Sequence, residues 1–169
     1  MWYVIQTRTG QEKKIKQSIM RTVSPSVYKD CKIIYYEIKR KYQGEWHKEK
    51  RAMFPGYLFI ESDEVEELFH ELRKIPELTK LLGYGQDIVA ISKEEEDFLR
   101  KITGGEETVE ISYGFKDGDR IVIKEGCLVG MESIIRKIDR HKRKAYIDVN
   151  LLGVTRQVEI GLELVEKQI

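Results

Sequence analysis

Apolar and polar positions alternate with two different periods along this chain. Through the first hundred or so residues, short β-prone runs are interleaved with stretches of helical spacing, and from Phe115 onward the period is two. The strongest single signal is residues 50–60, KRAMFPGYLFI. Two cations lead in, Pro55-Gly56 marks a turn, and Tyr57, Leu58, Phe59 and Ile60 read as a buried central strand. Met53 and Phe54 sit just before the turn and are expected near the surface. A competing reading has Phe54 stapling the strand entry to the core.

Residues 2–7 predict a strand, and residues 11–22 a helix with Ile15, Ile19 and Thr22 inward and Lys13, Lys14, Gln17 and Arg21 outward. Residues 23–30 read as a loop and 31–42 as a strand, with a hairpin turn at Gln43-Gly44-Glu45-Trp46. Val65, Leu68, Phe69, Leu72 and Ile75 predict a helix over 63–75, capped by Ser62 or Asp63 and ended by Pro76. A strand at 88–91 is followed by a capping box, Ser92 to Glu95, and a helix with Phe98, Leu99 and Ile102 inward. Strand and helix order then predict an α+β domain over 1–103, an antiparallel sheet with helices of the split βαβ type. An acidic, Gly-bounded stretch at 104–114 reads as a linker. Five short strands over 115–169 suggest a small SH3-like β-barrel.

Composition sharpens this picture chiefly through charge segregation. The formal net charge of the 169 residues is only +1, yet residues 11–21 hold four cations against one acid and 136–144 hold six against one. Residues 29–51 carry eight cations and four acids, whereas 61–71 carry six acids and no Lys or Arg. A basic surface suited to nucleic acid is therefore hidden by the total. Its candidate residues in the first domain are Lys13, Lys14, Gln17, Arg21, Lys39, Arg40, Lys41, Lys48, Lys50 and Arg51, with Tyr42 or Trp46 as stacking planes. In the second domain they are Arg136, Lys137, Arg140, Lys142, Arg143 and Lys144, which either hold the far strand of the RNA or merely solubilise a turn.

Catalytic chemistry finds no footing. The histidines His47, His70 and His141 are dispersed, and no CxxC, HxxxH, Gly-rich phosphate loop or GxSxG is present. No enzyme activity, cofactor or metal is expected. Two cysteines, Cys31 and Cys127, without a signal peptide or spanning segment, suggest a reduced cytoplasmic protein.

Three motifs in order resemble the NusG family of transcription elongation factors. Phe54-Pro55-Gly56-Tyr57 resembles its FPGY strand, Trp2-Tyr3-Val4 its opening strand, and Asp117-Gly118-Asp119-Arg120-Ile121 through Gly126 and Gly130 its KOW motif. The resemblance implies an N-terminal NGN domain and a KOW domain. It also implies docking on the clamp helices of RNA polymerase, with Trp2, Tyr3, Met53, Phe54, Pro55 and Tyr57 at the contact. Non-template DNA is a further implied contact, and a monomer is expected. Thr7-Arg8-Thr9-Gly10-Gln11-Glu12 is similar to the specialised LoaP-type antiterminators, which implies operon-specific read-through recruited by an RNA hairpin. The alternatives are a housekeeping elongation and pausing factor linking polymerase to Rho or the ribosome, and a ribosomal or RNA-structural KOW protein. At the barrel tip, Leu151, Leu152 and Val154 stand where Ile-Phe-Gly-Arg is usual, so Rho or ribosome binding there is in doubt.

Overall fold

Trp2, Tyr3, Val4 and Ile5 are buried in succession, which a strand achieves only when both its faces are covered. They form β1 (Trp2–Gln6) of a computed structural model that describes residues 1–79 and 89–167. The chain continues through α1 (Glu12–Thr22), β2 (Asp30–Lys32), β3 (Tyr35–Tyr42), β4 (Glu45–Ala52), β5 (Tyr57–Glu61), α2 (Val65–Leu72), α3 (Pro76–Thr79), β6 (Val89–Ala90) and α4 (Lys93–Thr103). Then follow β7 (Thr108–Val109), β8 (Ser112–Asp117), β9 (Arg120–Glu125), a 3-10 turn (Glu132–Ile134), β10 (Ile135–Asp139), β11 (Lys144–Leu151) and β12 (Val154–Glu166). These elements sort into two compact units, Met1–Ile33 with Phe54–Glu96 and Ile34–Met53 with Asp97–Ile169.

The first unit is built on an antiparallel sheet in the order β2-β5-β1-β6, so the apolar run Tyr57–Ile60 is an interior strand as its sequence predicts. Helix α1 lays Ile15 and Ile19 against β5 and α2, while Thr22 is exposed. Leu68, Leu72 and Ile75 are buried, but the helix predicted over 63–75 is shorter. The Ser62 hydroxyl accepts the Glu64 N–H at 2.9 Å, α2 ends at Leu72, and Pro76 opens α3 instead of closing a helix. Proline suits that first position because its missing N–H would have no partner there. The capping box is formed reciprocally: Ser92 N donates to Glu95 Oε1 at 2.9 Å, and Glu95 N donates to Ser92 Oγ at 3.1 Å. Ile88, the start of the strand predicted over 88–91, lies outside the described residues.

The strand predicted over 31–42 is broken in two. Ile33 and Ile34 are both buried, at 2% and 1% exposure, and a period-two strand would send one of them to solvent. The chain instead leaves β2 there and enters a second sheet, ordered β4-β3-β7. The hairpin β3–β4 turns through Gln43 and Gly44, both with positive φ (49° and 81°), as a type I′ turn requires.

In the second unit the C-terminal strands form a five-stranded sheet, β10-β11-β12-β8-β9. Strand β12 pairs antiparallel with β11 at its start and parallel with β8 at its end, so one long strand serves both halves. Within the stretch read as a linker, β7 pairs with β3, β8 begins at Ser112, and Val109 and Ile111 are buried. Two apolar anchors among the acids account for this.

Candidate functional site

The FPG turn is fixed from three directions. Tyr57 N donates to Phe54 O at 3.0 Å, and Gly56 has φ +85°, the geometry a type II turn demands at its third residue. Thr7 N donates to Gly56 O at 2.6 Å. The buried Glu12 carboxylate accepts Gly56 N at 2.6 Å and Gly10 N at 3.0 and 3.1 Å. An added Cβ at Gly56 would lie 2.9 Å from Thr7 O, so the approach is too close for any side chain. The turn-holding role of Glu12 is not legible in the sequence, where it stands as the acid in the first turn of a helix.

The expectation that Met53 and Phe54 lie near the surface is corrected: they are 4% and 3% exposed. The Phe54 ring meets Phe59 edge-on at 5.6 Å, and Phe59 in turn meets Trp2 at 6.2 Å. Proline 55 takes the exposed corner and Tyr57 is half-buried, while Trp2 and Tyr3 are buried. The staple reading of Phe54 is the one its packing matches.

The basic residues separate into two sets. Lys13, Lys14, Gln17 and Arg21 are exposed on α1, with Arg21 reaching Ser18 Oγ at 3.5 Å. Arg40, Lys41 and Lys142 are exposed as well, and with Lys13 and Lys14 their side chains make no ion pair among the described residues. Lys48 lies 3.8 Å from Glu37, Lys50 sits over Tyr35, and Lys137 over Tyr146. Arg136 pairs with Asp148 at 2.8 Å and Arg140 with Glu166 at 2.6 Å.

Four further cations converge on two carboxylates of β12. Glu163 Oε1 accepts Lys39 Nζ and Arg143 Nη1, each at 2.8 Å. Glu159 accepts Lys144 Nζ at 2.8 Å and the Tyr36 hydroxyl at 2.8 Å. Arg51 is 3.9 Å from Glu159, but its main partner is Glu49, to which its Nε donates at 2.7 Å. Gly161 stands between the two carboxylates, and a Cβ there would be 2.3 Å from Glu37 O and 2.9 Å from Ile111 Cγ1. The hairpin and β12 therefore cross at Gly161, with one acid on each side of the crossing. Arg143 also lies over the Trp46 ring, 3.9 Å from its centre. At the tip of the β11–β12 hairpin, Leu151 is fully buried, Leu152 is half-buried at φ 55°, and Val154 is 54% exposed. Leu152 and Val154 are thus the tip's accessible apolar groups, and Leu151 is not.

These pairings set a pH dependence. Burial pushes the Glu159 carboxyl up, but hydrogen bonds from Lys144 and Tyr36 outweigh it and hold it below the usual 4.5. Burial likewise raises Glu163, and Lys39 and Arg143 hold it below 4.5. Burial, then the bond to Glu159, pushes Tyr36 up to about 12. A depressed carboxyl stabilises above its unfolded value and loses that contribution as pH falls through its folded value; a raised phenol stabilises below its unfolded value and loses it as pH rises through about 12. Trp46 fluorescence is expected to report hairpin release on acidification below 4.5, with Glu159→Gln plus Glu163→Gln removing that transition. An unchanged acid transition in the double variant refutes the pairing account.

A family model described as "Transcription termination factor nusG" matches residues 1–100. The chain belongs to the NusG family. It is 28% identical to the transcription termination/antitermination protein NusG of Borreliella burgdorferi, covering 98% of this chain and 97% of that one. With the protein of the same name from Halalkalibacterium halodurans the identity is 25%, again over 98% and 97%. A solved structure described as "Domain interaction in Thermotoga maritima NusG" matches with a TM-score of 0.53 at 24% identity, over 96% of this chain and 92% of that one. That likeness supports the NusG fold, an α+β N-terminal part with a C-terminal β domain. NusG proteins are transcription factors. Among the described residues, no group of three or more His, Cys, Asp or Glu side chains could hold a metal ion. No described helix is long and apolar enough to cross a membrane.

Proposed function

We propose that this NusG-family chain is a cytoplasmic, monomeric antitermination factor of the LoaP type, which binds RNA polymerase and promotes read-through at particular operons by recognising a leader RNA hairpin. The observation that carries the RNA half is the set of exposed cations whose side chains make no ion pair among the described residues, Lys13, Lys14, Arg40, Lys41 and Lys142, with Tyr42 61% exposed at the hairpin tip. Such cations exchange counterions for phosphates, and the exposed ring offers a stacking plane. The polymerase half is assigned to the FPG turn, where Pro55 and Tyr57 reach solvent while Trp2, Tyr3, Met53 and Phe54 are buried. Non-template DNA is a further contact for the basic hairpin, and no cofactor is required.

A housekeeping role is the second reading, favoured by the full-length match to relatives named termination/antitermination proteins and by the exposed Val154 at the tip. Competition at physiological salt separates the two. A cognate leader hairpin is expected to outcompete a scrambled hairpin of equal length, and Lys14→Glu or Lys41→Glu to remove the difference. Equal competition by both RNAs, together with Rho capture by the wild-type chain but not by Val154→Arg, would establish the housekeeping reading instead.

A further inference from the structure

The turn after β10 carries a residue in an unfavourable backbone conformation. Arg143 has φ 55°, a left-handed value that costs a long side chain energy. Its guanidinium is fully positioned: Glu163 holds Nη1 at 2.8 Å, and Trp46 lies beneath it at 3.9 Å. Beside it opens a cleft of about 400 Å³ lined by Arg140, His141, Arg143, Glu163, Leu164 and Val165.

The two arginines of this cleft are in different electrostatic states. Arg143 and Glu163 are 34% and 19% exposed, and Glu163 also binds Lys39, so this pairing is sheltered and not readily exchanged. What Arg143 presents to the cleft is a charge-compensated plane backed by an indole. Arg140 and Glu166 are 40% and 67% exposed, a solvent-screened pair that a stronger anion can displace. His141 is exposed beside it. A flat surface next to an exchangeable cation is what a nucleotide needs: the base stacks on the plane and the phosphate replaces the weak carboxylate. An acidic peptide would use the cation and leave the plane idle.

We infer that this cleft receives one unstacked nucleotide of a single-stranded RNA loop, its base against the Arg143 guanidinium and its phosphate at Arg140 and His141. The inference rests on the RNA-binding reading above and names the part of the RNA and the side chains that would read it.

The test uses the full chain with two RNA probes, a hairpin closed by an adenosine loop and a blunt duplex with the same number of phosphates. The loop is expected to quench Trp46 fluorescence and to bind about tenfold tighter than the duplex, the scale of one stacked base. Arg143→Lys keeps the charge and loses the plane, so it should abolish the preference while leaving the salt dependence of duplex binding unchanged. Arg143→Asn, a residue that tolerates the left-handed backbone, should do the same if the lysine variant folds poorly. Loop preference retained in both folded variants would overturn the site and leave RNA binding standing. A wild-type chain that does not distinguish loop from duplex would overturn the site together with the hairpin-recognition reading.

Discussion

Gly161→Ala is expected to release the β3–β4 hairpin from β12 and to lower the stability of the second unit by about 3 kcal/mol, the upper part of the range for overpacked sites. The atoms in the way are backbone and core: Glu37 O at 2.3 Å and Ile111 Cγ1 at 2.9 Å from the added Cβ. Neither can swing aside as the end of a flexible side chain would. Strand β12 is held on both sides by β11 and β8, so the hairpin is the element that must move. Once it moves, Tyr36 and Lys39 lose Glu159 and Glu163 together, which makes the effect cooperative. Gly44→Ala is the control. Nothing lies within 4 Å of a Cβ at Gly44, so only its φ of +81° resists substitution, a cost of about 1 kcal/mol. Urea midpoints give the two costs, and amide exchange at Tyr36 and Ile38 shows which variant frees the hairpin. Equal losses from the two substitutions would refute the crossing as the point of closest contact.

What was legible in the sequence was local. The buried strand at Tyr57–Ile60, the Ser92–Glu95 capping box and the Gln43-Gly44 turn each draw their signal from a few adjacent residues, and each is present in the structure. The break at Ile33-Ile34 was less visible because a run of β-prone residues does not show where a chain changes sheets. Two consecutive buried isoleucines were the available clue. Helix α2 was overextended for a related reason: Ile75 keeps the apolar spacing and is buried, although the helix has already ended at Leu72.

The candidate site was legible in its charges and illegible in their partners. Lys39, Arg51, Arg143 and Lys144 read from sequence as a solvated basic face. The carboxylates that tie them down, Glu159 and Glu163, look like outward positions of an ordinary strand. Tyr36 and Glu159 are 123 residues apart, and no spacing rule spans that interval. The consequence for nucleic acid is direct. Cations already neutralised by a sheltered carboxylate contribute little to phosphate binding, so the steep salt dependence expected of the whole cluster should come from members that make no ion pair among the described residues, Lys13, Lys14, Arg40, Lys41 and Lys142 among them.

Phe54→Ala is expected to cost about 3–5 kcal/mol of stability, the range for deleting a buried phenyl ring, and to lower the melting temperature before any polymerase contact is considered. The ring is 3% exposed and packs edge-on against Phe59, which itself contacts Trp2, so its loss opens a void inside the aromatic cluster beneath β1 and β5. A surface anchor would behave in the opposite way, weakening binding ten- to hundredfold with the fold intact. Pro55 and Tyr57 supply the contrast, since both reach solvent. Tyr57→Ala should leave the melting temperature within the small change of a half-buried site and weaken polymerase binding, if the FPG turn is the docking element. Phe54→Leu separates packing from recognition: it keeps apolar volume, should cost less than about 1.5 kcal/mol, and should bind polymerase nearly as wild type does if Phe54 only supports the turn. A wild-type melting temperature in Phe54→Ala would contradict the packing described here. A folded Phe54→Leu that loses polymerase binding would instead show that the ring leaves this core to make the contact itself.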